Sequence, residues 1–237
     1  MIKYNNTENK CGTMNEQTRD KWIENILKDI PTGKRILDAG AGEMKYKKLC
    51  NHLDYISQDF SQYNGSGDTG LQFGKWNTNG IDIVSDINNI PLPDKSFDYV
   101  MCLEVLEHVS HPQNTIKELT RLLKPKGFLI ISAPFCSITH MSPYYFYTGF
   151  SKNFYKEWLK KFNLDVIDLQ YNGNYFEYLA QELRRLPYIA KNYSTFEIDN
   201  NATAIQEMLN ILNELSKNNK GSEELLSFGL QIISQKE

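Results

Sequence analysis

A short apolar segment that runs directly into a glycine turn is the feature that most constrains the fold of this chain. Residues 35–42 read RILDAGAG, so a predicted strand ends at Gly40 and Gly42. Glycines there let a ligand approach the backbone closely, although the same pair can also form only a tight connection to a helix. About twenty residues later a second predicted strand ends at Asp59, whose carboxylate can accept both hydroxyls of a ribose. Together the two signals predict a site for an adenosine-containing ligand.

The residues around the turn distinguish between adenosine ligands. The dinucleotide fingerprint requires a third glycine where this chain has Lys45, and the phosphate-loop pattern GxxxxGK[ST] is absent from the turn. Asp38 adds negative charge beside the glycines, which suits the ammonium group of an amino acid better than a phosphate. These features favour S-adenosylmethionine, a sulfonium that carries both a ribose and an amino acid.

Strand-like and helical segments alternate along the first half of the chain. After the glycine turn, EMKYKKLCNHL predicts a helix, and IDIVSDI and FDYVMCLEV predict a third and a fourth strand. HPQNTIKELTRLL then predicts an amphipathic helix, and FLIISAPF a fifth strand. Such alternation predicts a parallel sheet with helices packed on its faces.

The composition excludes several other classes of protein. Among 237 residues, 26 Lys and Arg oppose 29 Asp and Glu, which gives a net charge of -3. Such a surface lacks the broad positive field that holds a nucleic acid, so we expect no nucleic-acid partner. No run approaches the roughly 18 apolar residues that span a bilayer, and we expect no membrane partner.

The N-terminus and the cysteines predict a cytoplasmic location. The first ten residues contain no apolar stretch of the kind found in a secretory signal. The four cysteines are scattered without a CxxC pair, which predicts neither a disulfide framework nor a zinc site. Carboxylates and histidines are likewise not grouped at ligand spacings along the sequence, so we expect no metal.

Several of these segments resemble the class I S-adenosylmethionine-dependent methyltransferases. The resemblance rests on ILDAGAG, Asp59, SDINNIPLPDKSFDYVMCLEVLEHV and LLKPKGFLIISAPF, and covers residues 33–135. LEVLEHV is typical of the type 11 small-molecule group, and the segment after the fifth strand is similar to uncharacterised bacterial methyltransferases. The resemblance implies an α/β, Rossmann-like, doubly wound fold. Its mainly parallel seven-stranded sheet would have the last strand antiparallel beside the fifth, and a helical insertion before it.

The resemblance also assigns roles in binding the cofactor. The expected cofactor-binding residues are Asp38, Ala39, Gly40, Gly42, Asp59, Phe60, Asp86, Ile87, Leu103 and Glu104. The glycine turn would contact the methionine end, Asp59 the ribose, and Phe60, Asp86 and Ile87 the adenine. Leu103 and Glu104 would border the sulfonium. Each has a structural alternative: Asp86 can cap a turn, Glu104 can lie on a solvated helix face, and Phe60 can be a core residue.

The loop after the fifth strand is the expected acceptor site, because ligands of open α/β sheets bind at the carboxyl ends of the strands. His140 is the only histidine in this loop and is the candidate general base. Tyr144, Tyr145 and Tyr147 would form an apolar wall with polar tips. Alternatively, His140 only forms a structural hydrogen bond and the tyrosines only pack. His108, in LEVLEHV, is interpreted as a helix-capping residue.

We predict a single methyltransferase domain over residues 1–237. Its parts are a flexible lead (1–14), a cofactor-binding core (33–135), an acceptor loop with a helical insertion (136–222) and a closing strand (223–237). Asn174 and Tyr175, at the start of the insertion, are a second candidate set for the acceptor. The expected reaction is methyl transfer to a small molecule, at an oxygen of a sugar or related metabolite. A nicotinamide-dependent oxidoreductase and a non-catalytic cofactor-binding module of this fold are the alternatives.

Overall fold

The computed structural model describes residues 9–199 and 202–237, and it contains a seven-stranded sheet in the order β3-β2-β1-β4-β5-β7-β6. The strands are β1 Arg35–Ala39, β2 Asp54–Asp59, β3 Ile83–Val84, β4 Phe97–Leu103, β5 Leu123–Pro134, β6 Leu164–Asn172 and β7 Gly229–Lys236. β1 to β5 pair in parallel, and β7 pairs with β5 in the antiparallel direction. The predicted α/β fold with an antiparallel closing strand beside the fifth is therefore confirmed.

The strand order creates a switch point between β1 and β4. From β1 the chain proceeds outward through β2 and β3, and it then returns to place β4 on the other side of β1. In open α/β sheets, ligands bind in the crevice beyond the carboxyl ends of the strands at this point. The RILDAGAG turn and the LEVLEHV segment follow β1 and β4, so both lie at this edge of the sheet.

The described residues form five α-helices. They are α1 Asn15–Asp29, α2 Pro112–Leu122, α3 Lys152–Lys161, α4 Tyr175–Tyr193 and α5 Thr203–Lys217. α2 follows its sequence pattern: Pro112 occupies the first turn, where its missing N–H costs nothing, and the predicted apolar face is buried. Within the described residues, no helix is both long enough and apolar enough to cross a membrane.

Two segments differ from the sequence prediction. The predicted helix over EMKYKKLCNHL is only a short 3₁₀ turn at Lys47–Leu49, because Met44 adopts a left-handed conformation with φ of 55° and the chain continues in turns. The third strand has only two residues, Ile83–Val84. Just before it, the Asp82 carboxylate accepts hydrogen bonds from Ser57 N and Oγ at 2.8 and 2.7 Å, so a side chain takes the place of ladder pairing.

The described chain divides into two compact units. The single domain expected over residues 1–237 stays a prediction. One unit comprises residues 21–170 and 229–237 and holds the sheet. In its core, α1 residues Trp22, Ile23 and Leu27 pack with the strand residues Ile36, Met101 and Ile130. Central strands of a parallel sheet are covered on both faces, which explains why β1, β4 and β5 read as apolar runs.

The other unit is formed by the described residues of 9–20 and 171–228. Its core contains Cys11 with residues of α4 and α5, namely Ala180, Ile205, Leu209 and Leu212. A flexible lead was expected over residues 1–14, of which residues 1–8 lie outside the described part. Cys11 is instead buried, and the adjacent Gly12 N donates to Glu177 Oε2 at 2.6 Å. Glu177 thus holds this part of the lead in place.

Replacement of a core residue of β5 tests this packing. Ile130 is fully buried between β4 and β7, whereas Ile167 on β6 is 57% exposed. We expect Ile130→Ala to lower the free energy of unfolding by about 2–4 kcal/mol through lost burial and the cavity left behind. Ile167→Ala should change it by less than about 0.5 kcal/mol. Urea unfolding followed by tryptophan fluorescence measures both; equal effects would contradict the packing described.

Candidate active site

The glycine turn after β1 has a backbone conformation that requires its glycines. Gly40 and Gly42 have φ of 75° and 51°, in the left-handed region that side chains disfavour. A Cβ on Gly40 would lie 2.5 Å from Val105 Cγ2, and a Cβ on Gly42 would lie 2.7 Å from Trp76 Cζ2. Neither position therefore accepts a larger residue without displacing a neighbour.

Asp38 lies at the end of β1 and is buried next to this turn. Asp38 is only 4% exposed, and its Oδ2 accepts a 2.6 Å hydrogen bond from the Tyr55 hydroxyl. Burial raises the pKa of Asp38 to about 7, against the lowering effect of the Tyr55 hydrogen bond, and the negative charge of Asp59 adds to the rise. A cationic ligand beside Asp38 would offset the cost of ionising it.

Asp59, at the end of β2, is fixed by two backbone amides. Gly42 N donates to Oδ2 at 3.0 Å, and Ser61 N donates to Oδ1 at 2.7 Å. Each carboxylate oxygen has two lone pairs, so a further donor can approach each one. The predicted pair of a carboxylate and a glycine turn is therefore brought together, with a direct hydrogen bond between them.

The residues expected around the adenine differ in exposure. Ile87 is buried, Phe60 is half-buried, and Asp86 is exposed, while Ala39, expected at the glycine turn, is buried. The Phe60 ring meets the Tyr144 ring edge to face, with centroids 4.8 Å apart. Asp86 Oδ1 accepts from Asn88 N at 2.8 Å and therefore does cap a turn, while its second oxygen is not used in that bond. Their roles toward adenine stay predictions.

Glu104 follows β4 directly in an uncommon backbone conformation. Its φ is 56°, and its N–H donates to Ser132 O at 2.8 Å, which turns the chain away from the strand. Ser132 Oγ donates to Glu104 Oε1 at 2.8 Å. Non-glycine residues with positive φ are frequent at functional sites. Leu103, just before it, is half-buried, and both residues lie at the edge of the sheet where the sulfonium is expected.

His140 lies in the loop after β5, beside a second histidine. Its Nδ1 is 2.9 Å from Ile138 O, and its ring centroid is 5.0 Å from that of Tyr145 and 4.7 Å from that of His108. Because a carbonyl oxygen only accepts, Nδ1 of His140 donates to it, and in the neutral ring the lone pair is on Nε2. His140 thus presents the nitrogen that a general base requires.

His108 does not cap α2, so the interpretation from the sequence is wrong for this residue. Its Nδ1 is 2.6 Å from Tyr144 O, which ties the LEVLEHV segment to the loop after β5. Burial lowers the pKa of His108 to about 4, and the neighbouring His140 lowers it further, so the ring is neutral at pH 7. α2 begins after His111, without a side-chain cap from that residue.

Glu107 completes a cluster that the sequence spacing did not predict. Glu107 is 1% exposed, and its Oε1 lies 3.7 Å from His108 Nε2. One potential ligand atom from each of Glu107, His108 and His140 lies within 4.8 Å of the others. The loop after β5 crosses LEVLEHV, because the amides of Phe146 and Tyr147 both bond Glu107 O. That crossing brings His140 close to residues more than 30 positions earlier in the chain.

The predicted acceptor tyrosines have different surroundings. The Tyr145 hydroxyl donates to Ser137 O at 2.6 Å, which holds its ring beside His140. Tyr144 packs on Phe60, and the exposed Tyr147 donates to Ser110 O at 3.1 Å. These hydrogen bonds fix the loop, and the substrate-binding role of all three stays a prediction.

Asn174 and Tyr175 lie at the start of α4, in the other unit. Asn174 caps the helix, because its Oδ1 accepts from Phe176 N and Glu177 N at 3.0 and 3.1 Å. Its Nδ2 donates to Ser216 Oγ on α5. Tyr175 meets Phe176 edge to face. These contacts give Asn174 a structural role, and a role in binding the acceptor stays a prediction for both residues.

Sequence reasoning missed two aromatic residues in the loop at 61–80. Trp76 packs against the glycine turn, and Phe73 lies between Trp76 and His140, with centroids 5.5 and 6.5 Å away. The loop is joined to the acceptor loop, because Leu71 N donates to Thr139 O and Leu71 O accepts from Met141 N. The signal available was FGKW, two aromatic residues within a segment otherwise rich in Gly, Asn and Ser.

Comparison with known proteins finds similarity to methyltransferases. A family model described as "Methyltransferase domain" matches residues 37–131. The chain is 29% identical to a tRNA (carboxymethyluridine(34)-5-O)-methyltransferase of Arabidopsis thaliana, over 59% of this chain and 34% of that protein. It is 28% identical to a demethylmenaquinone methyltransferase of Paenarthrobacter aurescens, over 72% of this chain and 64% of that protein. The chain therefore spans less than two thirds of the length of either relative.

Solved structures show the same fold. A SAM-dependent methyltransferase from Archaeoglobus fulgidus superposes with a TM-score of 0.57 and 18% sequence identity. The match covers 97% of this chain and 97% of that one. The family model confirms the resemblance of residues 33–135 to methyltransferases, and the solved structure confirms the fold.

The buried Asp38 predicts a pH dependence of stability. Its pKa is raised from 3.8 to about 7 in the folded protein, so between these values the folded state binds more protons than the unfolded state. The contribution of Asp38 to stability is therefore present below pH 4 and is lost as the pH rises to 7 and above. We expect Asp38→Asn to gain thermal stability relative to the unchanged protein between pH 5 and pH 8, without cofactor.

The measurement is the melting temperature of both proteins at the two pH values. Asp165→Asn, an exposed carboxylate on β6, is the control and should shift melting equally at both pH values. If Asp38→Asn shifted the melting temperature equally at pH 5 and pH 8, Asp38 would be ionised throughout this range.

Proposed function

Because the chain carries a class I S-adenosylmethionine-dependent methyltransferase domain, we propose that it transfers the methyl group of S-adenosylmethionine to an oxygen of a small molecule. The acceptor we propose is a sugar or a related metabolite with a free hydroxyl. The reaction would take place beyond the carboxyl ends of β1, β2, β4 and β5, where the glycine turn and His140 lie.

The observation that carries this proposal is the pair of buried carboxylates on either side of the glycine turn. Asp38 would attract the ammonium group of the methionine part, and Asp59 would accept the ribose hydroxyls. Asp59 Oδ2 and Gly42 N are joined at 3.0 Å, so the same contact orients the carboxylate and the backbone that would receive the methionine part. A nicotinamide dinucleotide would instead place a pyrophosphate at this turn, against the negative charge of Asp38.

Methyl transfer requires little covalent chemistry from the protein. The sulfonium is already an activated leaving group, so the site has to align the acceptor oxygen, the methyl carbon and the sulfur. His140 Nε2 would take the proton of the hydroxyl as the oxygen attacks, the new C–O bond forms, and the C–S electron pair returns to sulfur. Of the products, the methyl ether and S-adenosylhomocysteine leave, and the proton is passed on to water.

Aromatic side chains around His140 support a ring-shaped acceptor. Phe73 is exposed, Tyr145 packs against His140, and Tyr144 is half-buried beside Phe60. Such rings can pack against the apolar face of a sugar, while hydroxyl groups orient its polar edge. The Arabidopsis relative is named for transfer to an oxygen, which accords with this acceptor atom.

Cofactor binding tests the first half of the proposal. In Asp59→Asn, the amide NH2 would face the N–H of Gly42 or of Ser61, so one hydrogen bond is replaced by a repulsion between donors. Because hydrogen bonds to charged groups contribute about 1.5–3 kcal/mol, we expect at least about tenfold weaker binding of S-adenosylmethionine. Calorimetry with the cofactor and with S-adenosylhomocysteine measures this, with Asp165→Asn as the control.

An acceptor screen tests the second half. The protein is incubated with cofactor labelled in the methyl group and with a metabolite extract, and the label is followed by mass spectrometry. We expect label in a small molecule as a methyl ether. Label found in RNA or protein would contradict the proposed acceptor. Cofactor binding without any transfer would favour the non-catalytic module, and binding of NADH alone would favour the oxidoreductase.

Once an acceptor is known, His140→Ala tests the proton step. Loss of a general base lowers rates by about 100-fold or more, and the loss should be smaller at high pH, where the hydroxyl ionises without help. His111→Ala, an exposed histidine in the next turn of the chain, is the control. A variant that keeps the full rate across the pH range would remove His140 from the mechanism.

A further inference from the structure

Two imidazoles and a carboxylate meet at the same edge of the sheet as the proposed methyl transfer. Their possible ligand atoms lie within 4.8 Å of one another, and Glu107 Oε1 is 3.7 Å from His108 Nε2. Zn–N and Zn–O bonds are about 2.0–2.2 Å long, so ligand atoms of one ion are roughly 3–4 Å apart. The Glu107–His108 separation already fits, and a small rotation of His140 would complete the set.

Both imidazoles are oriented as metal-binding histidines are. Nδ1 of His108 donates to Tyr144 O at 2.6 Å, and Nδ1 of His140 donates to Ile138 O at 2.9 Å. A carbonyl that holds the Nδ1 proton fixes the tautomer and directs the Nε2 lone pair outward, which is the usual support of a metal ligand. The rings are 85° apart with centroids separated by 4.7 Å, so the two lone pairs can converge on one position.

The environment also suits a cation. The Glu107 carboxylate is buried at 1% exposure, and the carboxylate of Glu104 lies three residues away on the same turn. In helix α3, burial raises the pKa of the fully buried Tyr155 well above its ordinary value, and the negative charges of Glu107 and Glu104 add to the rise. Its hydroxyl has no hydrogen-bond partner among the described residues, so a water molecule on a bound ion could supply one.

We propose that Glu107, His108 and His140 bind one divalent transition-metal ion, and that Zn²⁺ fits the donors best. Two histidines and one glutamate form a ligand set of catalytic zinc sites, in which the remaining position is open to substrate. Imidazole nitrogens select Zn²⁺ and similar ions over Mg²⁺, which prefers oxygen ligands. The expectation of no metal, drawn from sequence spacing, would then be replaced.

The site deepens the proposed function and rests on it for its chemical role. An acceptor hydroxyl at the open position would have a lowered pKa and would release its proton to water. The resulting alkoxide would attack the methyl carbon, forming the C–O bond while the C–S electron pair returns to sulfur. In the ion-bound protein, His140 is therefore a ligand, and the ion takes over the task that His140 would have as a base.

Direct metal binding tests this inference without an acceptor. The full-length protein is stripped with a chelator and titrated with Co²⁺, whose visible absorption reports coordination by protein ligands. We expect one Co²⁺ per chain, displaced by Zn²⁺ and not by an equal concentration of Mg²⁺. His108→Gln and His140→Gln should each weaken binding at least tenfold, whereas the exposed His111→Gln should leave it unchanged.

The outcomes separate this inference from the proposed function. If the unchanged protein binds Co²⁺ no more tightly than His140→Gln does, the metal site is wrong, whatever the protein does with S-adenosylmethionine. If Co²⁺ binds as expected but calorimetry finds no affinity for the cofactor, the proposed function fails and the metal site stands. Circular dichroism checks folding, and His140→Gln alone decides if the buried His108→Gln does not fold.

Discussion

The hydrogen bonds between the glycine turn and the end of β2 are the contact on which the site depends. The amides of Gly40 and Ala41 both donate to Gln58 O at 2.8 Å, and Gly42 N donates to the adjacent Asp59 carboxylate. The glycines of this turn adopt positive φ, and a Cβ on Gly40 or Gly42 would meet Val105 or Trp76. A ligand bound to Asp59 therefore acts on the same hydrogen-bond network that holds the backbone of the turn.

Much of the fold could be predicted because its signals are local. The apolar runs of β1, β4 and β5 and the apolar face of α2 are contiguous in sequence, and they predict the parallel sheet directly. The exceptions are decided by distant contacts. The Asp82 side chain bonds Ser57 and shortens β3, and the left-handed Met44 prevents a helix after the turn. No periodicity of the surrounding residues contains that information.

The proposed cofactor and acceptor parts of the site also differ in whether their sequence signals are local. The proposed cofactor side comes from short motifs that end single strands, so Asp38, the glycines and Asp59 could be named as candidates from the sequence. The acceptor side depends on two loops that cross: 61–80 contributes Trp76 and Phe73, and the loop after β5 lies across LEVLEHV. His108 and Glu107 join His140 only through that crossing, which explains why a helix cap was the interpretation of His108.

The roles considered for His140 exclude each other at any one moment, because Nε2 has a single lone pair. It can accept the proton of a hydroxyl or bind an ion, and the carbonyl at Nδ1 favours both equally. The groups around His140 distinguish its role as a base from its role as a metal ligand. A general base needs only its own anchor, whereas here a second imidazole is anchored in the same way, 4.7 Å away and next to a buried carboxylate. The anchored His108 also ties LEVLEHV to the loop after β5, and beside the buried Glu107 it supplies the second nitrogen donor that an ion needs.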